Sequence, residues 1–341
     1  MYHARGMSHN VMQPRRERST AGRWDAISPQ ESVPPPQERS LAARIRNRLI
    51  RLAPPPVVRM MARPYIAGET REEAVALAQR IHGAHGLHST IDVLGEDIAD
   101  PAESQAMLEE YIRILDDLAD IPHANISIKL SALGQMLDEG LCVRNLQTLL
   151  SHAEKHDTFV RFDMEDSTTT DSTIGIYRRM VGRFPKIGIV LQSRLFRTPD
   201  DVMSLAPLKP NIRLCLGIYR EPAEIAYQDK PSMKDRLLEL LETMWSNDQY
   251  VALATHDEAV IRKGLALAER MGKTPRDFEV QMLLGVPRAK LQKELMARGI
   301  RVRLYVPYGQ HWYNYCLRRL ENNPEMARMV VRNLFGGSRA S

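Results

Sequence analysis

From residue 88 onward, short runs in which apolar residues alternate with polar ones give way to longer stretches of helical period, and the cycle repeats. The alternating runs centre on Asp92, Ser127, Arg161, Val190, Arg213, Val251, Val280 and Arg303, spaced 23 to 38 residues apart. Helical patterns fall between them, as at 103–119, 234–246, 258–271 and 287–298. Sustained strand–helix alternation predicts a parallel sheet, because a parallel return needs a crossover. Eight such units over about 250 residues is the usual extent of a (β/α)8, TIM-like barrel. A doubly wound sheet would normally carry a GxGxxG phosphate loop, and none is present. The tripeptide Gly272-Lys273-Thr274 resembles part of a phosphate loop, but Leu267 stands where the first glycine belongs and the preceding segment reads as helix.

Ahead of the barrel the pattern weakens. Residues 1–39 are polar, contain Pro34 to Pro36, and read as disordered. Residues 40–86 read as N-terminal helices and a linker. A short helix over Ser40 to Leu52 carries Arg44, Arg46, Arg48 and Arg51 around an apolar stripe, which suits a solvated helix or contact with anionic lipid. Thr70 and Glu73 form a capping-box pattern that opens a helix to about Ile81. The barrel itself is expected over 87–336.

Composition narrows the class. A chain of 341 residues with 43% apolar content buries a large core and fits one barrel-sized domain with an extension. The net charge of +5 sits largely at the N-terminus, so no nucleic-acid partner is expected. Cys142, Cys215 and Cys316 show neither CxxC spacing nor a disulfide framework, which points to a reducing compartment. No apolar run approaches the ~18 residues of a membrane span. Residues 1–30 lack an apolar signal core, and Glu17 and Asp25 argue against a transit peptide. The expected location is cytoplasmic, with any membrane contact peripheral.

Alternation also sorts side chains into and out of the barrel. In NISIKLS the apolar Ile126, Ile128 and Leu130 face the helices, leaving Ser127, Lys129 and Ser131 inward. The same rule turns Arg161, Asp163, Glu165, Gln192, Arg213, Cys215, Glu279, Gln281, Arg303 and Tyr305 inward, with His256 just beyond strand six. Barrels are ordinarily filled by apolar layers, and buried charges persist only when paired. Such an interior implies mutual pairing and a polar ligand at the C-terminal mouth. Lys129 with Asp163, or Arg213 with Asp163, also fits a purely structural ion pair. Cys215 fits a small core residue better than a nucleophile. His82, His85 and His88 straddle a helix exit without a carboxylate or cysteine at ligand spacing, so no metal is expected.

The stretch Arg303 to Arg319 concentrates the chemistry. A strand-like run ends at Pro307 to Gly309, and a helix carrying Tyr315, Arg318 and Arg319 on one face follows. Two guanidinium forks beside a phenol suit a small carboxylate.

Seven motifs in order and spacing now resemble the proline dehydrogenase family. They are SIKLS at 127–131, FDME at 162–165, VLQ at 190–192, RLCLGIY at 213–219, ATHD at 254–257, FEVQMLLG at 278–285 and YVPYG…YCLRRL at 305–320. The resemblance covers about 63–335. It implies a distorted barrel holding non-covalent FAD that oxidises L-proline to Δ1-pyrroline-5-carboxylate and passes electrons to a membrane quinone. It further implies that Arg318 and Arg319 hold the substrate carboxylate, with Lys129, Tyr305 and Tyr315 completing the pocket and Asp163 organising the cations. Met164, Gln192, Arg213, Gly217, Thr255 and His256 are implied as FAD contacts, Arg213 nearest the reactive flavin nitrogen. Leu216 and Ile218 adjoin the cofactor where the family usually has lysine and alanine. Arg194 replaces a common tyrosine, and Asn322 a common glutamate. Three alternatives remain: a sister flavoenzyme for another cyclic or secondary amino acid, a flavin-free barrel with a binding or regulatory role, and an aldolase-type barrel using Lys129 as a Schiff-base amine.

Overall fold

The computed structural model describes residues 59, 63–95, 98, 100–313 and 315–316. The disordered stretch expected over 1–39, the basic helix over Ser40 to Leu52, and the pair Arg318 and Arg319 lie outside the described residues.

Eight parallel strands close into a barrel in sequential order. They are β1 (His88–Val93), β2 (Ala124–Ile128), β3 (Val160–Phe162), β4 (Ile187–Gln192), β5 (Asn211–Cys215), β6 (Tyr250–Ala254), β7 (Phe278–Leu283) and β8 (Arg301–Tyr308). Each covers a centre that the alternation marks. The ring closes where β8 pairs with β1, Ile91 opposite Val306 and Asp92 opposite Pro307. β8 ends at Tyr308, within the Pro307 to Gly309 stop that the sequence marks. The Pro307 carbonyl accepts from Ala67 N–H at 2.8 Å, which fastens the segment before α1 to the end of β8.

Helix α1 (Arg71–His85) precedes the barrel. The connecting helices are α2 (Pro101–Leu118), α3 (Glu139–Lys155), α4 (Thr170–Val181), α5 (Thr198–Leu205), α6 (Lys230–Ser246), α7 (Glu258–Arg270) and α8 (Ala289–Ala297). The capping box on α1 forms as its sequence predicts, with Thr70 accepting from Glu73 N–H and Glu73 reaching back to Thr70 N–H. The helix outlasts the predicted end at Ile81, because Gly86 (φ 65°) supplies the left-handed residue that stops it. Asp100, Asp138, Asp229 and Asp257 cap α2, α3, α6 and α7 by accepting backbone N–H groups, which satisfies donors the first helical turn leaves over.

The apolar core is the shell between strands and helices, where Ile91, Ile126, Ile128, Phe162, Ile189, Leu214 and Val280 are buried against the helices. Their neighbours along each strand point to the barrel axis, and most of those are polar, with Gly188, Val190 and Ala252 among the exceptions.

Candidate active site

A chain of charged and polar groups runs along the axis, with Val190 and Ala252 as apolar members beside it. At the N-terminal end, Arg303 meets the buried Glu279, Nε to Oε1 at 3.0 Å. Burial alone would raise the Glu279 carboxyl, but Arg303 and the donors around it hold it down at about 2. His88 lies beside Arg303, and burial together with that cation lowers its imidazole to about 3. Arg161 has no carboxylate partner among its hydrogen bonds. It donates to the carbonyls of Ile189 and Asn211 and to the Asn211 side chain, and burial lowers it to about 9.

Gln281 carries the network upward, donating to Glu279 at 2.5 Å and accepting from Arg213 Nε at 2.6 Å. Arg213 Nη1 then donates to Asp163 Oδ1 at 2.6 Å and to Ser127 Oγ at 3.1 Å. Ser127 donates to the same Asp163 oxygen, and Tyr305 donates to Asp163 Oδ2 at 2.8 Å. The Arg213 guanidinium also lies over the Tyr305 ring, 5.1 Å from its centroid. Burial and the Asp163 carboxylate push the Tyr305 phenol well above its usual range, so it stays a proton donor. Asp163 therefore gathers one cation, one phenol and one hydroxyl at the ends of β2, β3, β5 and β8.

Of the two structural pairs that alternation offered for Asp163, the one with Arg213 forms and the one with Lys129 does not. The Lys129 ammonium donates to both oxygens of Asp92, at 2.9 and 3.1 Å, not to Asp163. Asp92 is completely buried. Burial raises its carboxyl, and Lys129 opposes that rise. Sequence reasoning centred a strand on Asp92 but assigned it no role. The signal was present: Ile91 and Val93 are outward apolar positions, so Asp92 had to point inward.

The remaining residues form a second wall. Met164 is buried beside Asp163 in the chain. Gln192 is buried, and its Nε2 donates to the Glu165 carbonyl at 2.7 Å. Glu165 accepts from the Ser131 hydroxyl. Gly217 holds φ 97°, and a Cβ there would collide with the Gln192 side chain, so glycine serves both the backbone and the space. Thr255 accepts from Asp257 N–H, while His256 Nε2 accepts from Leu283 N–H at 3.1 Å, tying the ends of β6 and β7 together. Leu216 is half-buried and Ile218 is 63% exposed. Cys215 behaves as a core residue, its thiol raised to about 11 by burial. Tyr315 is helical, half-buried and close enough to Tyr305 to raise its phenol further. Of the predicted carboxylate clamp, Tyr315 is thus brought to the mouth.

Buried atoms here that make no hydrogen bond among the described residues include the second amino nitrogen of Arg213 and the Gln192 carbonyl oxygen. Buried polar atoms are rarely left so. A heterocycle with both acceptors and an N–H donor on its polar edge, as FAD has, fits that pair, and the glycine at 217 lets the chain pass close against Gln192. Arg194 is similar, with two buried guanidinium nitrogens unpartnered among the described residues, near Glu221.

The family model described as Proline dehydrogenase matches residues 76–211 and 227–332. The interval between, 212–226, holds Cys215, Leu216 and Ile218, the departures that the motif at 213–219 displays. Proline dehydrogenase 1 of Bacillus subtilis (strain 168) is 36% identical over 277 residues, covering 81% of this chain and 91% of that protein. The proline dehydrogenase of Deinococcus radiodurans is 38% identical over 289 residues, with the same coverage of each. Among solved structures, proline utilization A from Bdellovibrio bacteriovorus, inactivated by N-propargylglycine, superposes with a TM-score of 0.71. At 21% identity that likeness speaks for the fold, and it covers 82% of this chain but 34% of the longer protein.

Proposed function

The chain belongs to the proline dehydrogenase family, and on that premise we propose how its barrel mouth works. The reaction is the oxidation of L-proline to Δ1-pyrroline-5-carboxylate, the opening step of proline catabolism. A ring C–H bond breaks, a C=N bond forms, and the ring nitrogen releases its proton. FAD, held without a covalent link, accepts the hydride when bound.

The chain's own part is to bind, orient and neutralise. Arg318 and Arg319 hold the substrate carboxylate as paired forks, since guanidinium matches carboxylate in two contacts. Tyr305 and Tyr315 wall the ring, and Lys129, anchored by Asp92, adds positive charge beside them. Arg213 would lie against the cofactor, where its cation would offset the negative charge of the reduced group. Met164, Gln192, Leu216, Gly217, Ile218, Thr255 and His256 complete the cofactor wall. The observation that carries this reading is Arg213: Asp163, Ser127 and Gln281 fix its direction through three hydrogen-bonding partners while one amino group is left to a ligand. Fixing a reacting pair at near-attack distance removes much of the entropic barrier.

Electrons pass onward to a quinone, by a peripheral contact at the inner face of a membrane. Among the described residues no helix is long and apolar enough to cross one.

The test is the visible spectrum of the purified protein. Flavin bands that bleach anaerobically with L-proline support the reading. Bands that bleach only with a different cyclic or secondary amino acid transfer the assignment to a sister flavoenzyme. No flavin after reconstitution overturns it in favour of a binding or regulatory barrel. Arg318→Met and Arg319→Met should each keep the flavin and raise KM for proline by about 10- to 100-fold, the loss of one charge-assisted contact of roughly 1.5–3 kcal/mol.

A further inference from the structure

On the outside of the barrel, three ligand-type atoms converge where no part of the catalytic reading uses them. Asp116 lies in the last turn of α2, and His152 lies in the last turn of α3, whose C-cap is His156. The spacing of four residues puts both imidazoles on one helix face. His152 Nε2 is 2.7 Å and His156 Nε2 is 2.8 Å from the same oxygen of Asp116. All three atoms lie within 4.8 Å of one another, and the two ring centroids are 5.1 Å apart.

We propose that Asp116, His152 and His156 form a binding site for a divalent transition-metal ion of the zinc class, which ties α2 to α3. Two imidazole nitrogens and one carboxylate oxygen are the donor set that borderline ions take, with water in the fourth position. Metal–ligand bonds of about 2.0–2.1 Å in a tetrahedron put neighbouring ligand atoms about 3.3 Å apart. The present separations need only a small rotation of each side chain to reach it. The imidazoles are mostly covered, with 20% and 25% of their side chains accessible, whereas Asp116 is half open. The rings are therefore held by packing while an ion has a path in. Helices of this barrel run back against the strands, so the C-terminal ends of α2 and α3 meet at the face opposite the catalytic mouth. The negative ends of two helix dipoles favour a cation there. That face of a barrel serves stability rather than chemistry, so the ion is a staple and turnover does not depend on it.

The experiment uses the full-length flavoprotein stripped with a chelator and titrated with Zn2+ by calorimetry, with melting curves alongside. One ion per chain and a rise in Tm are expected, with proline turnover unchanged. His152→Gln and His156→Gln should each abolish both the binding and the rise. Asp116→Asn, which keeps an acceptor oxygen for the imidazoles, should bind more weakly than the parent. Undiminished binding in both histidine variants, or no binding by the parent, overturns the site. Should a histidine variant fail to fold, Cu2+ paramagnetic resonance of the parent decides. Coupling to two imidazole nitrogens supports the assignment, and its absence overturns it.

Discussion

Asp92 and Lys129 form the most enclosed ion pair at the mouth, the carboxylate fully buried and the ammonium nearly so. Two charges out of water hold each other there at a desolvation cost that only a good geometry offsets. Asp92→Ala leaves the ammonium without its carboxylate and should cost about 3–5 kcal/mol in urea unfolding, as should Lys129→Met for the stranded acid. The double variant Asp92→Ala/Lys129→Met should be less destabilised than the sum of the two by about 0.5–3 kcal/mol, the usual size of a direct coupling. Strict additivity would mean that the pair does not interact. Asp163 differs in kind, since three partners share it and its loss would release Arg213, Ser127 and Tyr305 together. Alternation alone had offered Asp163 as the partner of Lys129, and the barrel gives that part to Asp92.

At the level of elements, glycines show where packing leaves no room and where it leaves plenty. Gly188 on β4 stands in register between Arg161 of β3 and Asn211 of β5. A Cβ there would lie 2.5 Å from Arg161 Nη1, 2.6 Å from the Asn211 carbonyl and 2.7 Å from the Phe159 ring. The carbonyl is part of the sheet and has nowhere to go. Gly188→Ala should therefore cost about 1–3 kcal/mol, the usual penalty of overpacking. Gly175, inside α4, meets nothing within 4 Å. Gly175→Ala should be stabilising by up to about 1 kcal/mol, because alanine loses less backbone entropy in a helix. Thermal or urea unfolding of the two variants checks both signs. Equal effects would show that the space around Gly188 does not govern β4.

For the molecule as a whole, contacts of 64–68 fasten the chain ahead of α1 to the ends of β7 and β8. Ala67 N–H donates to the Pro307 carbonyl and Gly309 N–H to the Gly68 carbonyl, while the Pro64 carbonyl leaves no space for a Cβ at Gly285. We propose that residues 1–58 are dispensable for folding and flavin binding, since the repeating strand–helix units begin later. A chain starting at Arg59 should keep its Tm and flavin content, whereas one starting at Arg71 should lose stability by uncapping α1 and freeing the end of β8. Loss of flavin from the longer truncation would contradict this. The eight strand centres, the order of helices and the inward set from Ser127 to Tyr305 were all legible in the sequence. Those follow from local properties of the backbone, strand period and helix period, whereas the seven motifs were legible only as a resemblance to a known family. Pairing was legible only in part: Arg213 with Asp163 was one of the pairs that alternation offered, and it forms, whereas Asp92 as the partner of Lys129 was not foreseen. The Asp163 contacts span 36 to 142 positions, and the Asp116 cluster spans 36 and 40. Which carboxylate meets which cation depends on how neighbouring strands and helices are staggered around the closed barrel, a global geometry that no local pattern encodes. The same cause gave Arg161 carbonyls in place of an acid, Lys129 the carboxylate of Asp92, and two histidines on α3 a partner on α2.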